Sequence, residues 1–414
     1  MFTDTSIADK LSMDNHNKKI IFDKILESKE FSISEIAQAA KLSVPTVIKF
    51  VKALYNDGVL EDVGKPELNR KGKRAIYYRI KPDYCYFLGV DVKAFELNLG
   101  LMNLSGELVH TEQIRDFVFD NTKIVVDEIS SHIDEFIRKL HISKKLIARA
   151  NFNLGGRVNS LAGTSASVFN FEDNQETPLA EYLSEIIGIP VLIENDSKAM
   201  AYAELMNRPN PSWKNILYVN ASWGIGLGII INGEMYYGKD GYAGEFGHIH
   251  QYNNDVMCHC GNKGCIETEI SGRAILRLLK HEIIDKRTPC TLWDKVWRNE
   301  RITTVDLVTA VKSGDKLCQE LFAQTGSKLG TQLSGLINLF NPDGIIIGGY
   351  LAEAPEKYFI EPIKDVINKY SLSLMNQHLS VVTSALGQNA GIIGACLIAR
   401  NKTLSESFYN NADK

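Results

Sequence analysis

Residues 244–267, GEFGHIHQYNNDVMCHCGNKGCIE, hold the most specific pattern in the sequence. One imidazole and three thiols in it could together bind a metal: His248, Cys258, Cys260 and Cys265. In a reducing compartment, three cysteines within eight residues are more typical of a tetrahedral zinc site than of a disulfide. Four protein ligands leave no open position on the metal, so we expect a structural Zn²⁺. On spacing alone, His250 and His259 are alternatives to His248.

Length and composition predict a soluble protein of two or three domains. The chain has 414 residues, of which 44% are hydrophobic and 23% charged, whereas a common domain has about 100–150 residues. The seven cysteines are few and odd in number, which argues against a secreted disulfide framework. No apolar run reaches the roughly 18 residues of a membrane span, and the polar N-terminus is unlike a signal peptide. We therefore expect a cytoplasmic protein that does not bind a membrane.

Charge is unevenly distributed along the chain. Residues 1–80 carry 14 Lys and Arg against 11 Asp and Glu, whereas the remaining 334 residues carry 32 against 39. A basic segment on an acidic body favours a contact with nucleic acid at that end. The alternative is a chance cluster of solvated lysines.

The pattern within this N-terminal segment is that of a small helical unit followed by a basic hairpin. Apolar side chains near helical spacing predict a helix over 18–28. Ser32 and Glu35 form a capping box that opens a second helix, and Ser43 can cap a third. The basic segment RKGKR and an alternating strand follow, at 70–74 and 75–80.

This order of elements predicts a winged helix-turn-helix DNA-binding domain. Its third helix would lie in the major groove, and the basic loop would reach the phosphates or the minor groove. The residues expected to contact DNA are Val44, Thr46, Ile48, Lys49, Lys52, Lys73 and Arg74. The alternative is a three-helix packing domain without a DNA-binding role.

Beyond residue 85 the sequence alternates between apolar strands and helical stretches, which predicts an α/β architecture. The predicted strands are 86–92, 146–156, 189–196, 215–220 and 344–350, and the predicted helices include 125–139, 197–206 and 316–339. The turn Glu194-Asn195-Asp196 follows a strand, where α/β proteins commonly bind ligands. Asn and Asp also suit a simple helix N-cap, so both interpretations stay open.

Four segments together resemble the ROK family (repressor, open reading frame, kinase), and the head resembles its repressor branch. They are the cysteine segment, ENDSKAMAYAE (194–204), LFNPDGIIIGG (339–349) and LGQNAGIIGAC (386–396). The resemblance covers about residues 17–402 and assigns His248, not its rivals, as the fourth metal ligand. It implies an actin-like (ribonuclease H-like) fold of two α/β lobes with a cleft between them. The expected domains are a winged head at 1–80, a first lobe at 81–197 to which 386–402 returns, and a second lobe at 198–385 that holds the zinc site.

The resemblance also implies a sugar site in the cleft. The residues that match the hexose-binding set of the family's kinases are Gly156, Arg157, Asn195, Asp196, Glu245, His248 and Glu267. Sugar hydroxyls donate and accept hydrogen bonds, so carboxylates and an amide suit them chemically. His248 could bind the metal through one ring nitrogen and a hydroxyl through the other. In a kinase, Asp196 would be the general base.

The phosphate-binding loops of the family's kinases are altered in this chain. Their Asp-x-Gly-Gly-Thr loop is Asp-Val-Lys-Ala-Phe at 91–95, and Trp223 replaces a small hydroxyl residue in the second loop, 222–228. Close approach of backbone to phosphates requires glycine. The combination of an intact sugar side with an altered nucleotide side predicts a sugar sensor that is not an enzyme.

We therefore expect a sugar-responsive DNA-binding transcriptional repressor of carbohydrate-metabolism genes. Its expected partners are a sugar effector, a palindromic DNA operator and a second copy of the chain in a homodimer or homotetramer. One alternative is an ATP-dependent hexose or N-acylhexosamine kinase with an accessory head. Another is a repressor whose effector is a protein. The sequence does not identify the sugar, the operator or the regulated genes.

Overall fold

The N-terminal head is a winged helix-turn-helix, as predicted. The computed structural model describes residues 16–64, 76–169, 177–207 and 209–405. The head elements are α1 (His16–Glu27), β1 (Phe31–Ser32), α2 (Ile33–Ala40), α3 (Val44–Asn56), β2 (Leu60–Gly64) and β3 (Tyr77–Ile80). Its three strands form a sheet in the order β1-β3-β2. The predicted basic segment 70–74, with Lys73 and Arg74, lies outside the described residues.

Local capping determines where the head helices begin. The Glu35 N–H donates to the Ser32 hydroxyl, and the Ser32 N–H donates to the Glu35 carboxylate at 2.7 Å, so the predicted capping box is confirmed. The Ser43 hydroxyl accepts from the Thr46 N–H at the start of α3. These caps satisfy N–H groups that have no partner within the helix.

Two α/β lobes follow the head, as predicted. The first contains β4 (Tyr86–Lys93), β5 (Glu96–Asn103), β6 (Leu108–Ile114), α4 (Lys123–Lys139), β7 (Ile147–Leu154), β8 (Val158–Asn159), β9 (Thr164–Ser165), α5 (Leu179–Ile187) and β10 (Val191–Asn195). Helix α6 (Asp196–Asn207) then leads into the second lobe.

The second lobe is built around another sheet and a long central helix. Its elements are β11 (Ile216–Ala221), β12 (Ile225–Ile231), β13 (Glu234–Met235), α7 (Glu267–Ile270), α8 (Gly272–Ile284), α9 (Trp293–Trp297), α10 (Thr304–Lys312), α11 (Lys316–Phe340), β14 (Gly344–Gly348), α12 (Ile360–Tyr370), α13 (Ser373–Asn376) and β15 (Ser380–Thr383). The last helix, α14 (Ala390–Ser405), packs on β4, β5 and β7 of the first lobe.

The main sheets of the two lobes have the same topology. Their strand orders are β6-β5-β4-β7-β10 and β13-β12-β11-β14-β15, which is 3-2-1-4-5 in each lobe. In both sheets the first three strands are antiparallel, and the last two run parallel to the first. This repeat is the actin-like arrangement that the sequence predicts. Ligands of such sheets bind beyond the carboxyl ends of the parallel strands.

The head shares a hydrophobic core with the first lobe. Ile21 and Phe22 of α1 belong to the same buried cluster as Cys396, Ala399 and Leu404 of α14. Burying large apolar side chains contributes roughly 1.5–3 kcal/mol each. The head is therefore packed against the body in addition to being connected to it by the chain.

Candidate functional site

A cavity of about 940 Å³ lies between the lobes and is lined by residues of both. It lies beyond the ends of strands β4, β7, β10 and β11, where Val92, Leu154, Asn195 and Asn220 line it. Of the predicted sugar-binding residues, six line this cavity: Gly156, Asn195, Asp196, Glu245, His248 and Glu267. The cavity therefore brings together predicted residues that are up to 111 positions apart in the sequence, Gly156 and Glu267.

Arg157 differs from the other predicted sugar-binding residues. It is exposed and does not line the cavity, and its N–H donates to the Ser167 hydroxyl at 2.8 Å. The neighbouring Gly156 has φ +92°, and a Cβ there would lie 2.2 Å from the Ser167 oxygen. The Gly-Arg turn thus requires glycine for a close approach, while the arginine is not among the residues that line the cavity.

Asn195 and Asp196 sit where β10 becomes α6. The Asn195 side-chain oxygen accepts from the Lys198 N–H, and its amide donates to Gly156 O at 2.9 Å. Asn195 thus caps the helix and also lines the cavity, and its role in binding a ligand stays a prediction. Asp196 accepts from the Ser197 N–H at 2.7 Å. Burial and the nearby Asp91 carboxylate raise the pKa of Asp196 to about 6.

The opposite wall carries Glu245, His248 and Glu267. The Nε2 of His248 lies 3.6 Å from a Glu245 oxygen. Glu267 is 6% exposed and accepts from the Ile225 N–H at 3.1 Å. Although burial opposes it, the pKa of Glu267 is lowered, chiefly by a hydrogen bond from His259. The wall thus presents two carboxylates and an imidazole to the cavity.

The other ring nitrogen of His248 faces the cysteines. Its Nδ1 lies 3.5 Å from the Cys258 sulfur, and the sulfurs of Cys260 and Cys265 are 3.7 Å apart. All four potential ligand atoms lie within 4.8 Å of one another, so this group can hold a metal ion. The Nδ1 of His250 faces the Lys263 carbonyl at 2.9 Å. His259 is near Cys258 and Glu267, in a second group of possible ligands.

Two polar residues near this site, Asn220 and Lys198, were missed by the sequence reasoning. The Asn220 amide donates to the Ser197 hydroxyl at 3.0 Å and lies 3.5 Å from an Asp196 oxygen. Lys198 is buried, and its ammonium donates to the Gly241 carbonyl. The available signal for Asn220 was its place at the end of the apolar strand 215–220.

The segments 91–95 and 222–228, which the sequence predicts to be altered phosphate-binding loops, meet across the cleft. The rings of Phe95 and Trp223 are 5.2 Å apart in an edge-to-face arrangement. The Lys93 ammonium lies 3.6 Å from Asp91 and 3.2 Å from Glu96. The sequence did not predict the contacts of Lys93 or Glu96, because a charged residue at the end of a strand does not reveal which residue it will contact.

The candidate DNA-contacting residues of α3 lie at its surface. Val44, Thr46, Lys49 and Lys52 are exposed, and Ile48 is half-buried. Val44 is an exposed apolar side chain, at 46%, which suits a residue that covers an apolar base edge.

Among the described residues, no helix is long and apolar enough to cross a membrane.

Comparison with known proteins places the chain among repressors and kinases. The xylose repressor of Caldicellulosiruptor bescii is 26% identical over 397 residues, which cover 95% of this chain and 97% of the repressor. A glucokinase of Halalkalibacterium halodurans is 27% identical over 331 residues, covering 79% of this chain and 99% of the enzyme. The crystal structure of a ROK family transcriptional regulator, a homologue of the E. coli MLC protein, superposes with a TM-score of 0.74. It is 26% identical and covers 95% of this chain and 98% of its own. Residues 87–402 match the ROK family, and the chain therefore belongs to that family.

Proposed function

We propose that the protein is a sugar-responsive transcriptional repressor that binds operator DNA through its head and a sugar between its lobes. The observation that carries this proposal is one cavity lined by Asn195, Asp196, Glu245, His248 and Glu267 in a chain that also has a winged helix-turn-helix. The proposal divides the chain into a head at 1–80, a first lobe at 81–197 with 386–402, and a second lobe at 198–385.

The chemistry of the two walls suits a polyhydroxylated ligand. Carboxylates accept from hydroxyls, while the Asn195 amide and the His248 imidazole can either donate or accept. Glu245 lies 3.6 Å from His248, and although Ser197 donates to one Asp196 oxygen, the other lies 3.5 Å from the Asn220 amide. A bound sugar would satisfy the remaining hydrogen-bonding capacity of these groups.

The proposed metal is a structural Zn²⁺ held by His248, Cys258, Cys260 and Cys265. Tetrahedral bonds of about 2.3 Å place neighbouring sulfurs roughly 3.8 Å apart, which fits the 3.7 Å between Cys260 and Cys265. His248 would bind the ion through Nδ1 and keep Nε2 for a sugar hydroxyl or for Glu245. The metal loop would then fix the orientation of one sugar-binding side chain.

A path of packed helices supports transmission from the cleft to the head. Helix α6 starts at Asp196, and a Cβ on Gly394 of α14 would lie 2.0 Å from Ala199 O, so the two helices touch through their backbones. Near the end of α6, the Tyr202 hydroxyl accepts from Asn401 at 2.9 Å. Leu404, close by on α14, packs with α1 of the head. A shift of α6 on sugar binding would reach the head by this route.

For the sugar to release DNA, it must bind the DNA-incompetent arrangement more tightly than the competent one. A difference of about 1–3 kcal/mol corresponds to an effect of roughly 5–150-fold. A symmetric homodimer would present two α3 helices to a palindromic operator. We also propose that the protein works in the cytoplasm, where such an operator is accessible.

The second candidate function is a sugar kinase with an accessory head. It is favoured by the glucokinase relative and by Asp196, whose pKa of about 6 suits a general base near neutral pH. Phe95 and Trp223 argue against it, because their rings stand in the loops that would bind phosphates. The test is operator binding with and without a panel of sugars, run beside an assay for ADP released from ATP. Release of DNA without ADP supports the repressor, and turnover on any hexose supports the kinase.

A further inference from the structure

Side chains from both lobes meet on the nucleotide side of the cleft. We call them the inter-lobe cluster: Lys93, Phe95 and Glu96 of the first lobe, and Trp223, Arg301 and Tyr350 of the second. Lys93 and Glu96 flank the β4–β5 turn, and Tyr350 follows β14 after Gly348 and Gly349. Contacts between these residues therefore cross the cleft directly.

One half of the cluster is aromatic. The Phe95 and Trp223 rings meet edge to face, at 78° and 5.2 Å between centroids, which is a favourable geometry for such a pair. The Arg301 guanidinium lies 5.3 Å from the centre of the Phe95 ring, within the range of a cation–π contact. Phe95 is thus held by two residues of the opposite lobe.

The other half of the cluster is polar. The Tyr350 hydroxyl donates to Glu96 at 2.7 Å, and Lys93 donates to the second oxygen of the same carboxylate at 3.2 Å. The Lys93 ammonium also lies 4.8 Å from the centre of the Tyr350 ring. Glu96 is 8% exposed, and a hydrogen bond to a buried carboxylate is among the stronger ones in proteins.

A chain of hydrogen bonds runs from this cluster to Asp196. The Tyr350 N–H donates to the Ser222 hydroxyl at 3.2 Å, which donates to Asn220 at 2.8 Å. The Asn220 amide then lies 3.5 Å from the Asp196 carboxylate. Gly349 makes this approach possible, because it has φ +84° and a Cβ there would lie 2.5 Å from Ala221 O.

We propose that the inter-lobe cluster holds the two lobes together on the nucleotide side of the cleft without a nucleotide, and that Tyr350, anchored to Glu96 through its hydroxyl, is a positioning residue for Asp196 through its N–H. The first part stands on the contacts alone. The second part rests on the proposed function, since it concerns how Asp196 meets a sugar. Residues of the chain itself thus join the two lobes, where a bound ligand would otherwise join them.

The test compares Tyr350→Phe, Phe95→Ala and their double variant with Tyr370→Phe, which removes an exposed hydroxyl on α12. Amide hydrogen exchange of the ligand-free protein is measured at 93–98 and 220–226. We expect exchange there to be at least about fivefold faster in the double variant, with the rest of both lobes and the control unchanged. We also expect the sugar Kd of Tyr350→Phe to rise about fivefold while its unfolding midpoint stays unchanged. The effects of Tyr350→Phe and Asp196→Asn on the sugar Kd should be non-additive.

Unchanged exchange at both segments in the double variant would overturn the role of the cluster in holding the lobes together. A sugar Kd within twofold of the wild type, or one that is fully additive with Asp196→Asn, would overturn the positioning role of Tyr350. If the wild type binds no sugar at all, the proposed function fails and the positioning role fails with it. The exchange experiment still decides whether the cluster holds the lobes together.

Discussion

On the sugar side of the cleft, Glu245 and the Oδ2 atom of Asp196 make long contacts of 3.6 and 3.5 Å, whereas on the nucleotide side Glu96 is bonded to both Lys93 and Tyr350. Charged groups that are satisfied within the chain need no ligand, and buried groups that are not satisfied favour one. The lobes therefore present groups with remaining hydrogen-bonding capacity on one side and are joined by their own residues on the other. On the proposed function, this difference would separate sugar binding from catalysis.

The largest effect should come from removing a charge on the sugar side. Asp196→Asn keeps the size of the side chain but loses the ionised acceptor, and we expect sugar affinity to fall about 10–100-fold. Operator binding without sugar should match the wild type, which gives a repressor that sugar does not release. Asp365→Asn, an exposed aspartate of α12, is the control. Normal release of DNA by Asp196→Asn would exclude Asp196 from the mechanism.

The metal site offers a second way to weaken the sugar side alone. Cys260→Ser should lose the bound zinc, lower the free energy of unfolding by at least about 2 kcal/mol and weaken sugar binding through His248. Cys290→Ser, at a cysteine outside the group, should keep its zinc. Elemental analysis together with thermal unfolding measures both effects. Wild-type protein without one zinc per chain would contradict the site.

The DNA-binding function of the head should be separable from the functions of both sides of the cleft. Lys49→Ala removes an exposed charge from α3, and we expect a several-fold loss of operator affinity and a salt slope smaller by about one. Lys369→Ala on α12 is the matched control. Sugar affinity, measured by calorimetry, should not change in either variant. Equal operator binding by a fragment of residues 85–414 would show that DNA contacts another part of the molecule.

The smallest expected effect is a pH dependence of stability at Asp196. Its pKa rises from 3.8 to about 6 on folding because of burial and Asp91, so the folded state holds this proton more tightly than the unfolded state. The contribution to stability is thus present below about pH 4 and is lost as the pH rises through 6. Denaturant unfolding of the wild type and of Asp196→Asn at pH 4 to 7 should show the wild type losing stability relative to the variant as the pH rises, because Asn does not titrate. A difference that is independent of pH would contradict the assignment.

Much of the fold could be predicted from local patterns. The capping box at Ser32 and Glu35 and the apolar strands of the body depend on residues close in sequence, and these predictions were confirmed. The cysteine segment similarly brings its ligands together within a short loop, which is why its grouping was predictable. Its identity as a zinc site stays a prediction.

The inter-lobe cluster could not be predicted, because its partners are far apart in the chain. Glu96 and Tyr350 are separated by 254 positions, and neither residue type at its position indicates the other. Arg157 illustrates the reverse case, since its motif predicted a cavity residue but its side chain is exposed. The turn motif determines the backbone conformation near Gly156 but not the direction of the long, flexible Arg157 side chain.

The central claim, a cleft that binds a sugar and releases DNA without phosphorylating the sugar, is tested most directly by one titration. Purified protein bound to its operator is titrated with individual sugars in the presence of ATP and Mg²⁺, while DNA release and ADP are followed in the same samples. We predict that at least one sugar releases the DNA at saturation with no ADP above background. Steady ADP formation with any hexose, or an operator complex that no sugar dissociates, would contradict the account.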